Sequence, residues 1–356
     1  MKSRVYFLPA NNIHDPSLIS EHLPSLITKS SMPQSIERHD LVAIKIHIGE
    51  KGNVTHISPD MILPFSKAII DIGGKPYLTD TNVLYRSNRS DAVLHMKLAQ
   101  EHGFGLERCG APFIIADGLL GNNEIDVEID GKLFDSVSIA ADAAHANSIV
   151  SLTHITGHLA VGLGGTLKNL GMGFASRKGK LRQHSSVKPW INKSDCTLCG
   201  ECVKWCPEDA IELKADAAEI DQKLCIGCGE CLTVCRFGAV EYNWRTSSAD
   251  LQKKIAEHAL GVAAPKKDKI FYFNFLINIT KNCDCINTKQ KPVTDDIGIL
   301  ASSDPVAIDT AALDLVEEYS GKQFRQLCFP GIDETIQLKH GETIGLGKME
   351  YELLRL

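Results

Sequence analysis

Short runs with apolar residues at every second position alternate, along the first half of the chain, with longer runs of helical period. In "DLVAIKIHI" (40–48) Ile44, Ile46 and Ile48 share one face and Lys45 and His47 the other, which predicts a strand. "SPDMILPFSKAIIDIGG" (58–74) predicts a helix with a Ser cap, a proline in its first turn and a glycine stop, with a kink at Pro64. Strands are predicted at "KPYLTD" (75–80), "PFIIADG" (112–118) and "NSIVSLTHI" (147–155), and a helix at "SDAVLHMKLAQEHGF" (90–104). "EIDVEIDGKLFDSVSIA" (124–140) reads as a hairpin turning at Asp130 and Gly131. The pattern resumes late in the chain. A helix is predicted at "ADLQKKIAEHAL" (249–260), and strands at "KIFYFNFLINI" (269–279) and "IGILAS" (297–302). The last is a helix at "SDPVAIDTAALDLVEEYSG" (303–321), with a Ser cap, an early proline and a closing glycine.

Alternating strands and helices specify an α/β fold: a largely parallel sheet with helices on both faces. The stretch 246–356 has too few elements for a domain of its own. No Gly/Ser- or Pro-rich linker marks either junction. Residues 1–185 and 246–356 are therefore expected to form one discontinuous α/β domain, with 186–245 inserted.

The insertion carries the strongest chemical signal. "CTLCGECVKWC" (196–206) and "CIGCGECLTVC" (225–235) both read C-x2-C-x2-C-x3-C, and Pro207 follows the first. This is the bacterial ferredoxin spacing for [4Fe–4S] clusters, whose fourth cysteine ligates the other cluster. Cys196, Cys199, Cys202 and Cys235 are expected to hold one cluster. Cys225, Cys228, Cys231 and Cys206 are expected to hold the second. Gly200, Gly227 and Gly229 let the loop backbone approach and aim N–H groups at sulfur. Zinc, the alternative, needs only four cysteines in two C-x2-C pairs, not eight in two matched quadruplets. "AIEL" (210–213) and "AVEY" (239–242) follow at the same offset and read as the short paired strands of a bacterial-ferredoxin-like α+β module.

Composition narrows the setting. Of 356 residues, 44% are hydrophobic and 23% charged, and the net charge of −6 gives no reason to expect nucleic acid as a partner. The longest apolar runs are too short to span a bilayer, and the start lacks the apolar core of a secretory signal. A cytoplasmic protein without membrane contact is expected, and in a reducing compartment cysteines serve metals or catalysis more often than disulfides.

Several long motifs occur here in one order: "VAIKIHIGEKGN", "GGKPYLTDTNVLY", "GHLAVGLGGTLKNLGMGFASRKGK", the two quadruplets, "CDC" and "DIGILASSDPVAIDTAALDLV". Together they resemble the iron–sulfur proteins that contain the domain of unknown function 362. The resemblance covers nearly the whole chain. It implies an α/β domain carrying an inserted two-cluster ferredoxin module, and the C-x-C pair belongs to its pattern.

Outside the clusters, polar residues collect where strands end, which is where open α/β sheets bind ligands. His47, Glu50, Lys51, Asn53 and His56 follow one strand, Asp80, Thr81 and Asn82 another. His154 and His158 follow a third, then the glycine-rich "GLGGTLKNLGMG" (162–173) with Lys168 and Asn169. Cys283 and Cys285 follow a fourth. Catalytic roles are assigned to Cys283, Cys285, His47 and Asp80, and cofactor contacts to Lys168 and Asn169. The glycine loop resembles a phosphate cradle but lacks the Walker A pattern. Asp309 is a candidate to face the site, Asp304 is expected to serve a helix N-terminus, and Cys109 and Cys328 read as core thiols. The thiol pair can chelate an additional soft metal with histidine co-ligands, attack a substrate, or cycle as a redox pair. The functional expectation is an iron–sulfur oxidoreductase. Electrons pass through two oxygen-sensitive [4Fe–4S] clusters to a small-molecule substrate or metal in the α/β cleft. The alternative is a non-enzymatic redox carrier or metal- and cluster-delivery protein that docks a redox partner.

Overall fold

The computed structural model describes residues 2–10, 16–85, 87–184, 188–225, 227, 229–242 and 247–356. Eight strands form the main sheet: β1 (Ser3–Pro9), β2 (Leu41–Lys45), β3 (Lys75–Asp80), β4 (Phe113–Ile115), β5 (Ser148–His154), β6 (Ile270–Leu276), β7 (Gly298–Ser302) and β8 (Tyr351–Arg355). Their order across the sheet is β8-β1-β7-β6-β5-β2-β3-β4. Strands from before and after the cysteine-rich segment are thus interleaved, and β6 pairs with β5 residue for residue from Ile270 against Ile149 to Phe275 against His154. Every neighbouring pair is parallel except the two that β7 makes, with β1 and β6.

The helices that cover this sheet are α1 (Pro16–Lys29), α2 (Leu63–Ile72), α3 (Ala92–Glu101), α4 (Thr166–Gly171), α5 (Arg177–His184), α6 (Ser248–Ala263) and α7 (Pro305–Ser320). Alternation along each strand sorts the apolar side chains onto two faces. On β6, Phe271, Phe273 and Phe275 join Val42, Ile44, Val150 and Leu152 in the core beneath α1, α2 and α3. Ile270, Tyr272 and Leu276 join Ala43 and Ile149 in a second core beneath α4, α6 and α7. Both faces of the central strands are buried, so they read as near-continuous apolar runs. Each fully buried Phe or Leu contributes about 1.5–3 kcal/mol relative to exposure. Cys109 and Cys328 are buried in these two cores as ordinary apolar groups.

Several elements differ from the sequence reading. The run 58–74 is two pieces, a 3-10 turn at Pro59–Met61 and then α2, so Pro64 stands in the first turn of a new helix and kinks nothing. Proline's fixed φ and missing N–H suit that position. The cap of α7 is Asp304, not Ser303: its carboxylate accepts from Val306 and Ala307 N–H, both at 2.9 Å. β2 stops at Lys45, which leaves His47 beyond the strand end.

In the cysteine-rich segment, "AIEL" and "AVEY" do not pair with each other. Ile211–Leu213 pairs with Ala218–Ile220, and Val240–Glu241 pairs with Trp190–Ile191, both antiparallel. Among the described residues the segment meets the main body in a small apolar cluster that holds Leu84, Leu181, Ile211, Cys231, Leu232 and Val240, and Arg177 donates to the Thr233 carbonyl at 3.4 Å. No helix among the described residues is long and apolar enough to cross a membrane.

Candidate functional site

Because β2, β3, β5 and β6 are mutually parallel, their carboxyl ends lie along one edge. A cavity of about 580 Å3 opens there, lined by Lys45, His47, Asp80, His154, Lys168, Asn169, Cys283 and Cys285 among others. That volume suits a small organic molecule. The structure therefore brings together all six residues assigned to catalysis or cofactor contact outside the clusters.

One wall is a buried ion network. Lys45 Nζ lies 3.0 Å from Asp80 Oδ1 and donates to Asn169 Oδ1 at 2.9 Å. Arg89, equally buried, reaches Glu50 Oε2 at 3.3 Å and donates to the Tyr85 hydroxyl at 2.7 Å. Burial alone would raise the Asp80 pKa, but Lys45, His47, His95 and Arg89 around it hold its carboxyl well below the usual range. Its second oxygen, Oδ2, has no hydrogen-bond partner among the described residues. Buried polar atoms are seldom left so, and this one sits in the cavity wall.

The opposite wall carries the thiols. Cys283 and Asp284 are buried and Cys285 is half-buried, in a turn closed by Ile286 N–H on Cys283 O at 3.1 Å. Cys285 Sγ lies 3.3 Å from His47 Nε2. Gly49 N–H donates to His47 Nδ1 at 3.0 Å. Arg89 Nη1, which can only donate, lies 3.0 Å from Nε2, so Nε2 sits between a guanidinium donor and the Cys285 sulfur. The Cys283 thiol hydrogen-bonds Cys285, and this bond, opposed by burial and assisted by His47 and Lys168, lowers the Cys285 pKa well below the ordinary thiol value. Cys283 is pushed the other way, by the same bond first and by burial second.

Asp284, between them, is an anchor. It accepts from the Thr55 hydroxyl at 2.8 Å and pairs with His154 Nδ1 at 2.8 Å. His154 Nε2 faces the Ile277 carbonyl at 2.9 Å. Both ring nitrogens face acceptors, so His154 is an imidazolium and is not available as a metal co-ligand. Burial opposes the charge, but Asp284 outweighs it and the His154 pKa is raised, while Asp284 is lowered to about 2 against its own burial. The sign follows from linkage. The His154 contribution is complete below its unfolded pKa of about 6.5 and is lost as pH rises through the higher folded value. The Asp284 contribution is complete above about 3.9 and is lost as pH falls toward 2. His154→Gln is expected to cost about 1.5–3 kcal/mol near pH 5 and less at higher pH, measured by urea unfolding across pH. Parallel pH profiles for variant and parent would contradict this.

His158 is likewise not arranged as a partner of His154. Its Nδ1 accepts from Ala160 N–H at 3.2 Å, and burial pushes its pKa down to about 3, leaving a neutral ring with its proton on Nε2. The glycine-rich segment is not a phosphate cradle. The first free N–H groups of α4, on Thr166 and Leu167, are taken by the Asp309 carboxylate at 2.8 and 3.0 Å. Asp309 also accepts from Asn274 on β6, so it fastens helix to sheet rather than facing the cleft. Gly165 is required because a Cβ there would meet that carboxylate within 2.6–2.7 Å. Asn169 is fully used by Lys45, Ser151, Leu152 and Thr153, so it holds the wall rather than a cofactor. Lys168 is different: among the described residues its ammonium makes no hydrogen bond. Burial opposes its charge, but Cys285 and Cys283 together raise its pKa.

Arg89 and Lys180 are wall residues that the sequence did not single out. Arg89 lies in the polar loop "RSNRSD" and Lys180 in "RKGK", both of which look like solvated surface. The one available signal was Lys45, a lysine on a strand buried on both faces.

In the cysteine-rich segment two small apolar hollows separate the thiols. One is lined by Cys196, Cys199, Cys202 and Cys235. The other is lined by Cys206, Cys225 and Cys231, while Cys228 lies outside the described residues. The Cys202 thiol is pushed up by burial first and then by Cys235, Cys199 and Cys196 around it. Backbone N–H groups point at four sulfurs: Ala218 at Cys196 (3.4 Å), Ala210 at Cys206 (3.2 Å), Gly227 at Cys225 (3.4 Å) and Ala239 at Cys235 (3.3 Å). Gly200 and Gly229 hold positive φ of 76° and 81° at the entrances of the short helices that follow. Among the described residues no three His, Cys, Asp or Glu are arranged to hold a single metal ion.

The chain belongs to the family described as Domain of unknown function (DUF362), whose profile matches residues 42–314. Among curated proteins, none matches the sequence. Solved structures with a similar course of chain include the lactate racemase apoprotein from Thermoanaerobacterium thermosaccharolyticum, at 11% identity and a TM-score of 0.46, covering 90% of this chain and 58% of that one. A protein from Thermotoga maritima matches at 10% identity and a TM-score of 0.42, covering 86% and 59%. The chain thus spans less than two thirds of either, and at these values nothing about ligand or reaction carries over.

Proposed function

We propose that this member of the family is an iron–sulfur oxidoreductase that passes electrons through two [4Fe–4S] clusters to a substrate in the cavity at the sheet edge. The observation that carries the reading is the partition of the thiols. One hollow takes three cysteines of the first quadruplet with Cys235, the last of the second, and the other takes Cys206 with cysteines of the second. That crossing is the ferredoxin ligand pattern. The donor set fits: soft thiolates in an apolar pocket, with N–H groups aimed at sulfur to spread its charge.

Cys196, Cys199, Cys202 and Cys235 would hold one cluster, and Cys206, Cys225, Cys228 and Cys231 the other. Each cluster, when bound, supplies a low-potential one-electron carrier. The protein's own part is position and charge. Cys231 belongs to the same apolar cluster as Leu84, against which Cys196, Cys202, Cys206 and Cys235 also pack, and Leu84 lines the cavity, so the cysteine-rich segment meets the cleft through apolar side chains. In the cleft the Lys45, Arg89 and Lys168 cations hold acidic groups in their ionised forms, and His47 Nε2 lies 3.3 Å from the Cys285 sulfur.

The test is spectroscopic. The chain purified without oxygen should show a broad absorption near ~400 nm that bleaches with dithionite. A colourless protein carrying stoichiometric zinc would contradict the reading.

A further inference from the structure

We propose that Cys283 and Cys285 cycle between a disulfide and a dithiol, and that the dithiol reduces a disulfide-containing small anionic substrate bound in the cavity beside Lys168. For its source of electrons the proposal rests on the iron–sulfur reading above.

Three observations carry it. First, the thiols are placed for a bond. A residue and its second neighbour in a tight turn stand about 5–6 Å apart at Cα, within the range that a disulfide spans. The two sulfurs already share a hydrogen bond inside the turn closed by Ile286. Second, the pair is asymmetric in access. Both line the cavity, but Cys285 is half-buried, with His47 Nε2 3.3 Å from its sulfur, while Cys283 is buried. An exposed attacking thiolate with a covered second thiol is the arrangement that thiol–disulfide exchange uses. Third, the cavity has a cation to spare. Lys45 is held by Asp80, and Arg89 by Glu50, but Lys168 makes no hydrogen bond among the described residues, and of the charges around it Cys285 acts on it most strongly. When that sulfur enters a disulfide its charge is gone, and Lys168 is left to hold an anion, with the neutral His158 donating Nε2–H nearby.

The chemistry balances as follows. The Cys283–Cys285 disulfide takes two electrons and one proton to give the Cys283 thiol and the Cys285 thiolate. The Cys285 thiolate attacks a substrate disulfide R–S–S–R′, forms Cys285–S–S–R and expels R′–S⁻. The Cys283 thiol then attacks Cys285 sulfur, reforms the protein disulfide, and its proton leaves on R–S⁻ or returns to solvent. The two electrons come from the one-electron carriers, the acceptor is the substrate S–S bond, and nothing else is consumed.

The deciding experiment traps thiols in the full chain, held without oxygen in dithiothreitol redox buffers and quenched with N-ethylmaleimide. The peptide containing 282–287 should pass from doubly labelled to unlabelled, lighter by two hydrogens, as the buffer becomes oxidising. Cys283→Ser should stay labelled on Cys285 throughout. Two labels at every buffer ratio would overturn the proposal and leave the iron–sulfur reading standing. If the disulfide forms but dithionite reduces it no faster in the cluster-loaded chain than in Cys225→Ala/Cys231→Ala, the electron route falls and the dithiol stands. For the substrate class, the reduced chain is mixed with the dianionic disulfide dithiobis(nitrobenzoate) or with cationic cystamine. Lys168→Gln should slow the dianion about 10-fold more than cystamine, since losing the cation weakens the Cys285 thiolate toward both but changes encounter with anions by about that factor. Equal slowing of both would remove the anion site.

Discussion

Asp80→Ala should destabilise the protein by about 3–5 kcal/mol, which is the cost of removing one member of a buried ion pair and leaving its partner uncompensated. Lys45 is fully buried and Asp80 and Arg89 almost so, at 0%, 3% and 2% exposure. With the carboxylate gone, Lys45 keeps only the Asn169 carbonyl oxygen and the carbonyl of its neighbour Ile46. Burial already lowers the Lys45 pKa and Asp80 opposes that, so without Asp80 the lysine pKa is expected to fall further. The variant should therefore regain part of its stability as pH rises. The control is Asp60→Ala, which breaks an exposed pair with Arg108 and should cost less than about 1 kcal/mol. Urea midpoints at constant slope measure both. Equal costs for the two variants would mean that Asp80 is not carrying the buried cations.

Much of the fold was legible because the chain obeys its own periods. β3 occupies the six residues of "KPYLTD", and β5 and β6 lie inside the runs read from 147–155 and 269–279. Where two signals compete the reading slips. Ser303 and Asp304 both make good caps, and which one turns inward depends on Ser3 and Lys348, which bind Asp304 from far along the chain. The short strands near the cysteines are too brief to specify partners, so their pairing was settled by packing.

The site was legible in outline. A parallel sheet gathers its carboxyl ends, and His47, Asp80 and the thiol pair each follow one. What sequence could not supply is which polar groups are already spent. Asn169, His154 and Asp309 look reactive in a string of letters. Each is saturated by residues 16 to 143 positions away. Arg89 shows the converse: it enters the cavity wall from a loop with no periodic pattern to betray it.

Replacing cysteines two at a time should remove iron one cluster at a time, in a pattern set by the crossed ligands. Cys196 and Cys235 line the same hollow, so Cys196→Ala/Cys235→Ala should lose one cluster and keep the other. Cys196 and Cys206 line different hollows although they belong to the same quadruplet. Cys196→Ala/Cys206→Ala should therefore lose both clusters, since a cubane short of one thiolate in an open pocket is released readily. A local arrangement, with each quadruplet holding its own group, predicts the reverse.

The most direct measurement is iron and acid-labile sulfide per chain in the parent and these two double variants, all purified without oxygen. Two cubanes predict about eight iron in the parent, about four in Cys196→Ala/Cys235→Ala and close to none in Cys196→Ala/Cys206→Ala. Zinc in place of iron, iron without sulfide, or about four iron surviving in Cys196→Ala/Cys206→Ala would contradict the account.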